Sequence, residues 1–245
     1  MLVFKNPKII WPNLLTSLNL LSGCIAVLSF LNQQYILGIV LVLIGAFCDF
    51  LDGLVARALK VTGDFGKELD SLADVVSFGF VPGIIMYTAF LRALEINDFN
   101  QLLEQKQFLP FFGFVITIFS AIRLAIFNTL SSNVKGFIGL PTPANTLFFL
   151  SFPIFWVTLP NTHSILEITQ SIGFLIAVTL LFSYLTVSKI PMLSLKLKGK
   201  KISNYIPQII LIVLFLSYLA LSIVYVLPLT MLSYIALSVV FTKQN

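Results

Sequence analysis

Six of the ten acidic residues of this chain lie between positions 49 and 74, with apolar sequence on both sides: Asp49, Asp52, Asp64, Glu68, Asp70 and Asp74. Carboxylates beside a bilayer core are costly and mark function. Asp49, Asp52, Gly53 and Ala56 recur at i, i+3, i+4 and i+7, so a helix would carry them on one face. Gly66, Asp70 and Asp74 recur at i, i+4 and i+8 and share a second face. Gly63 and Asp64 stand between the two runs, where the chain can reverse. Two helices joined in this way aim Asp49, Asp52, Asp70 and Asp74 at one point. Oxygen-only ligands suit hard divalent cations such as Mg²⁺, Mn²⁺ or Ca²⁺, and four carboxylates are enough for a pair of them. Gly53 and Gly66 leave room for a ligand against the helix backbones. Arg57 offers a planar fork for a phosphate.

The elements that must position these residues are membrane helices. Of the 245 residues, 58% are hydrophobic and 10% charged, and the mean hydropathy is +1.00. Soluble domains carry about a quarter charged residues, so the expected fold is an all-α polytopic bundle with no separate soluble domain. Cys24 and Cys48 lie in apolar runs and suggest neither a disulfide framework nor a zinc site. His163 sits in a short polar loop with no partner in view. Leu21-Ser22-Gly23-Cys24 imitates a lipoprotein cleavage box, but Asn13, Thr16 and Asn19 interrupt the preceding apolar run, so it reads as a retained helix.

Hydropathy predicts eight spans after a short interfacial segment: about 13–31, 35–59, 67–92, 108–130, 143–159, 165–187, and two within 205–242, divided at Pro228. Residues 1–205 form the expected core and 206–245 a C-terminal hairpin. With the N-terminus in the cytoplasm, only Arg92 and Lys106 of fifteen Lys and Arg fall outside, as the positive-inside rule requires. Both termini and the aspartate-rich stretch then face the cytoplasm at the cell membrane. The loop from Lys189 to Lys201 holds five lysines, which serve topology and attraction to anionic lipid. No nucleic-acid partner is expected. Asn13, Thr16 and Asn19 form a polar stripe at the start of the first span, through capping and interhelical hydrogen bonds or through contact with a polar ligand.

The spacing Asp49-x2-Asp52-Gly53-x2-Ala56-Arg57-x8-Gly66-x3-Asp70-x3-Asp74 resembles, at all eight fixed positions, the signature of the CDP-alcohol phosphotransferases. The resemblance implies transfer of a phosphoryl-bearing group from a CDP-linked donor to an alcohol, with release of CMP. It implies that Asp49, Asp52 and Asp70 hold metal, and that Asp74 is both ligand and proton acceptor. By the same likeness Gly53, Arg57 and Gly66 hold the CDP moiety, joined by Asp52, by Asn13 and Thr16 from the first helix, and by Thr62 at the turn. A homodimer is also implied.

Further stretches resemble the membrane-type phosphatidylserine synthases: residues 12–23, 69–79, R-L-A-I-F-N at 123–128, G-F-I-G-L-P-T-P-A at 136–144, and 187–191. The likeness thins after about residue 205. Ile126 stands where that group usually has a second basic residue. CDP-diacylglycerol and L-serine are then the expected substrates, within a membrane of lipids. The scarcity of basic residues near the motif agrees, because a phosphorylated acceptor calls for clustered Arg or Lys. Arg123 is the candidate for the serine carboxylate, with Asn128, Ser77 or Thr142 for the remainder. For Arg123 the alternative is snorkelling or helix packing, and for Gly139–Pro143 a rigid helix start. Glycerol 3-phosphate or an inositol-type acceptor remains the rival within the family. A cation transporter is the rival outside it, although the acids sit at span ends rather than at mid-membrane.

Overall fold

A computed structural model of the chain describes residues 7–61, 63–97, 99–129, 137–193 and 205–242. A 3-10 turn, Pro7–Ile9, leads into α1 (Ile10–Leu31), and α2 (Tyr35–Leu59) returns beside it across Asn32–Gln34. Lys60 closes α2 in the left-handed region (φ 55°), and the amide of Val61 donates back to Ala56 (3.0 Å). This C-terminal cap satisfies carbonyls that the helix end would leave open. Gly63 is extended, and α3 (Asp64–Asp74) starts after it. The reversal therefore falls where the two aspartate runs meet, with the third helix beginning three residues earlier than hydropathy predicts.

Helix α3 passes without a break into a π-helical turn, Val75–Phe80, and then α4 (Val81–Ala93). Such turns are rare and cluster at functional sites; this one follows directly on Asp74. Helix α4 is buried from Val81 to Phe90 and is the central post of the bundle. A short α5 (Phe99–Glu104) and a 3-10 turn, Leu109–Phe114, precede α6 (Val115–Thr129). Beyond lie α7 (Thr142–Phe149), α8 (Ser151–Thr158), α9 (Ser164–Thr169) and α10 (Ile172–Val187). They are bracketed by a two-residue antiparallel pairing of β1 (Phe137–Ile138) with β2 (Pro191–Met192). Helix α11 (Ile206–Leu221), a 3-10 turn at Ile223–Tyr225, and α12 (Val226–Thr242) follow.

Among the described residues, five helical stretches are long and apolar enough to cross a membrane: Pro7–Leu31, Tyr35–Leu59, Asp64–Ala93, Leu109–Thr129 and Ile223–Phe241. Ile172–Val187 and Ile206–Leu221 are shorter apolar helices. The protein is a multi-pass membrane helical bundle, as composition predicts. Its fifth and sixth segments are broken, at Leu150 and at Gln170–Ser171. The last apolar block divides at Ser222 rather than at Pro228. Ser222 is extended, and its hydroxyl accepts from the Val224 amide. Pro228 falls in the first turn of α12, where a helix has no acceptor for its amide hydrogen and proline is tolerated. The core is aromatic: Phe30, Phe78, Phe90, Phe149, Phe152 and Phe182 are fully buried, and Phe148 stacks on Phe182 at 3.9 Å between ring centres. Ile36, Leu37, Val40, Phe47 and Phe50 of α2 face outward, as a lipid-facing helix requires.

Candidate active site

The helical reversal brings the aspartates together. Asp49 from α2 and Asp70 and Asp74 from α3 each place a carboxylate oxygen within 4.8 Å of the others. Asp52 stands one turn along α2, buried, and within electrostatic range of the other three. The Thr16 hydroxyl donates to Asp52 Oδ2, so α1 fixes the fourth carboxylate. Oδ1 of Asp70 and Oδ1 of Asp74 are buried with no hydrogen-bond partner. Among the described residues no Lys or Arg forms an ion pair with any of the four. Oxygens bound to one hard cation at about 2.1–2.5 Å lie at most roughly 5 Å apart. The spacing and the unpaired, buried oxygens therefore fit a divalent cation held by Asp49, Asp70 and Asp74, with Asp52 at its edge.

A cavity of about 380 Å³ opens beside this cluster. Asn13 and Thr16 line it from α1, Asp52, Gly53 and Arg57 from α2, and Gly66 and Asp70 from α3. Every residue that the resemblance assigns to the CDP moiety is on this wall except Thr62, which lies outside the described residues. Both glycines line the cavity: a Cβ on Gly66 would sit 3.5 Å from Asn13 Oδ1, and one on Gly53 3.8 Å from Arg57 Nη2, at ordinary contact distance. Asn13 Nδ2 is buried and unpartnered, as a donor kept for a ligand would be. Lys67 also lines the cavity and adds a cation that the signature does not contain.

The four acceptor candidates divide. Arg123, on α6, is 9% exposed, and its Nε has no partner; its guanidinium lies within electrostatic range of Asp74. Thr142 is buried at the start of α7, with its hydroxyl unpartnered. Ser77 is committed elsewhere: its hydroxyl donates to the Asn19 carbonyl (3.0 Å) and knits the π turn to α1. Asn128 lies near the end of α6, where its amide donates to Ser71 Oγ of α3 (2.8 Å). Ile126 is 46% exposed on the outward side of α6.

Two further polar side chains stand out: Asn19, the inner member of the polar stripe of α1, and Asn145, which the sequence reading did not reach. Asn19 and Asn145 are fully buried, and neither amide makes a hydrogen bond. Asn19 faces Asp74. Asn145 follows Thr142 by three residues, one turn along α7. The available signal was an amide inside an apolar span, which is costly unless it is used.

Residues 9–187 match the model of the CDP-alcohol phosphatidyltransferase family. The chain is 33% identical over 214 residues to a CDP-diacylglycerol–serine O-phosphatidyltransferase of Helicobacter pylori, covering 86% of this chain and 82% of the relative. It is 38% identical over 137 residues to a Methanocaldococcus jannaschii protein of the same name, covering 56% and 57% of the two chains. An archaetidylserine synthase of Methanothermobacter thermautotrophicus is 35% identical over 144 residues, covering 58% and 56%. With its eight signature positions in place and the match running from α1 to the end of α10, the chain belongs to the CDP-alcohol phosphatidyltransferase family.

Proposed function

We propose that this protein transfers the phosphatidyl group of CDP-diacylglycerol to the hydroxyl of L-serine, giving phosphatidylserine and CMP. The similar proteins named above carry that activity or its archaeal counterpart in their names. The observation that carries the acceptor assignment is Arg123, a buried cation with no ion pair among the described residues and within electrostatic range of the candidate base. A buried charge without a partner is costly, and a substrate carboxylate would repay that cost.

The CDP moiety occupies the cavity, with Arg57 on the pyrophosphate and Asn13 and Thr16 reaching the nucleotide from α1. Two divalent cations at Asp49, Asp52, Asp70 and Asp74, Mg²⁺ or Mn²⁺, would neutralise the pyrophosphate and stabilise the attacking and leaving oxygens. Arg123 holds the serine carboxylate and so brings the hydroxyl to Asp74. Asp74 removes the hydroxyl proton. The serine oxygen bonds to the lipid-side phosphorus as the bond from that phosphorus to the bridging oxygen breaks. CMP leaves with that oxygen and its electron pair. Thr142 and Asn145 contact the remainder of the acceptor. The acyl chains enter sideways from the bilayer, the site opens to the cytoplasm at the cell membrane, and two copies of the chain form the working unit.

The test offers labelled serine, glycerol 3-phosphate and inositol in parallel to the purified protein with CDP-diacylglycerol and Mn²⁺ or Mg²⁺. Metal-dependent CMP release with serine alone is the expected result. Release with a phosphorylated alcohol would overturn the acceptor, and no release with any acceptor would overturn the reaction.

A further inference from the structure

Lys67 lines the cavity together with Arg57, yet it stands outside the eight signature positions. It is exposed, and it forms no ion pair with a described residue. Its ammonium is held all the same. Nζ donates to the backbone carbonyl of Asn128, near the end of α6 (3.3 Å). The side-chain amide of Asn128 donates to Ser71 Oγ (2.8 Å). Ser71 Oγ in turn donates to the carbonyl of Lys67, one turn back on α3 (3.1 Å). The three bonds close a ring that runs from Lys67 to Asn128, from Asn128 to Ser71, and from Ser71 back to Lys67. Glu68 Oε2 is a second, longer acceptor for the same Asn128 amide (3.5 Å).

Hydrogen bonds this exposed compete with water and add little stability. What the ring does is restrict a flexible four-carbon side chain that would otherwise sweep through solvent. An ammonium has three N–H donors. One goes to the Asn128 carbonyl, and two remain for a ligand at the wall. The cavity therefore carries two cations, Arg57 from α2 and Lys67 from α3, beside the carboxylates Asp52 and Asp70. A ligand with a single phosphoryl group could be met by Arg57 alone. A pyrophosphate offers two, one for the planar fork of an arginine and one for the point charge of a lysine.

Building on the reading of the cavity as the CDP site, we propose that Lys67 is a second cationic contact for the donor pyrophosphate, and that Ser71 and Asn128 are positioning residues that hold its ammonium at the cavity wall. Asn128 then serves the donor rather than the acceptor. The same ring fastens α6, the helix that carries Arg123, to the first turns of α3.

The test uses the full-length protein in detergent and measures KM for CDP-diacylglycerol, KM for serine, Tm, and inhibition by CDP and by cytidine, which lacks phosphate. Lys67→Met is expected to raise the donor KM and the CDP inhibition constant about tenfold, as loss of a hydrogen bond to a charged group predicts, with cytidine inhibition and the serine KM unchanged. Lys67→Arg retains the charge and should recover most of the loss. Added salt should weaken CDP inhibition less in Lys67→Met than in the wild type, because one screened contact is already gone. Asn128→Ala and Ser71→Ala leave the cation in place but free it. Each should raise the donor KM by a smaller factor, again with CDP affected and cytidine not, and with the serine KM unchanged. If Lys67→Met fails to fold, Lys67→Gln reads the same quantities. Wild-type donor values in the Lys67 variants, or equal weakening of CDP and cytidine, would overturn the phosphate contact. A change confined to Tm in Asn128→Ala and Ser71→Ala, or a raised serine KM in Asn128→Ala, would overturn the positioning role. A wild-type protein that CDP does not inhibit would overturn the CDP reading and this role with it, whereas one that uses another alcohol leaves every donor measurement as it stands.

Discussion

Replacing Gly23 with alanine tests whether the close crossing of α1 over the π turn sets the position of Asp74. A Cβ at Gly23 would lie 3.0 Å from Ser77 Cα and 3.2 Å from Ser77 Cβ, and it would also meet Ser77 Oγ. Carbon atoms in ordinary contact stand about 3.5–4.0 Å apart, so the two backbones must separate by roughly 0.5–1 Å. A side-chain rotation cannot relieve the clash, because one of the opposing atoms is a backbone carbon. The Ser77 hydrogen bond to the Asn19 carbonyl would stretch from 3.0 Å at the same time. Asp74 lies less than one turn before Ser77 on the same unbroken helix, so the displacement carries to its carboxylate. Overpacking of this kind costs about 1–3 kcal/mol of stability. A misplacement of about 1 Å at a reacting group costs up to roughly a hundredfold in rate. The expected outcome is a kcat lowered by about tenfold to a hundredfold, with the KM for CDP-diacylglycerol little changed, because Gly23 does not line the cavity proposed for the nucleotide. CMP release and thermal melting in detergent check both quantities. The double variant Gly23→Ala/Ser77→Gly removes two of the three contacts and should recover part of the lost rate. Wild-type kcat and Tm in Gly23→Ala would refute the reasoning, and so would a loss confined to nucleotide affinity.

Asp74→Asn keeps the shape of the side chain but cannot take a proton; turnover should fall by at least about a hundredfold with the melting profile retained. Full activity would remove Asp74 as the base. Thr16→Val deletes the hydroxyl that donates to Asp52 and should weaken activation by Mn²⁺ about tenfold, read from a metal titration of activity. Arg123→Lys retains the charge but loses the fork, so the serine KM should rise by about tenfold while that for CDP-diacylglycerol stays put. Chelation with EDTA should abolish CMP release, and adding back Mg²⁺ or Mn²⁺ should restore it; activity that survives exhaustive chelation would contradict a metal role for the aspartates.

Much of the site was legible because helical spacing is a local property. Asp49 and Asp52, and Asp70 and Asp74, must share faces wherever the chain is helical, and a bilayer leaves these segments no other regular structure. The hydropathy that makes this a membrane bundle is likewise a sum over neighbours. The sequence could also suggest the reversal near Gly63, since Gly63 itself and the residues around it are the ones that permit it. It could not show that Asp52 would be held by Thr16, 36 positions away. Nor could it show that Arg123 would be buried with Nε unpartnered while Asn128 donates to Ser71, because both sit on one helix and differ in what other helices bring near them. Ser77 has the sequence context of a site residue, yet the crossing of α1 turns its hydroxyl into a packing contact. The π turn after Asp74 and the break at Ser222 have the same origin: they depend on which neighbour accepts or excludes a given group. Sequence by itself determined the membrane helices, the signature and the chemistry of the carboxylates, since each is set within a few turns of chain. Only the tertiary structure decided which buried polar groups find partners and which, like Arg123 Nε and the Asn145 amide, have none among the described residues, because that is settled by contacts between segments far apart in the chain.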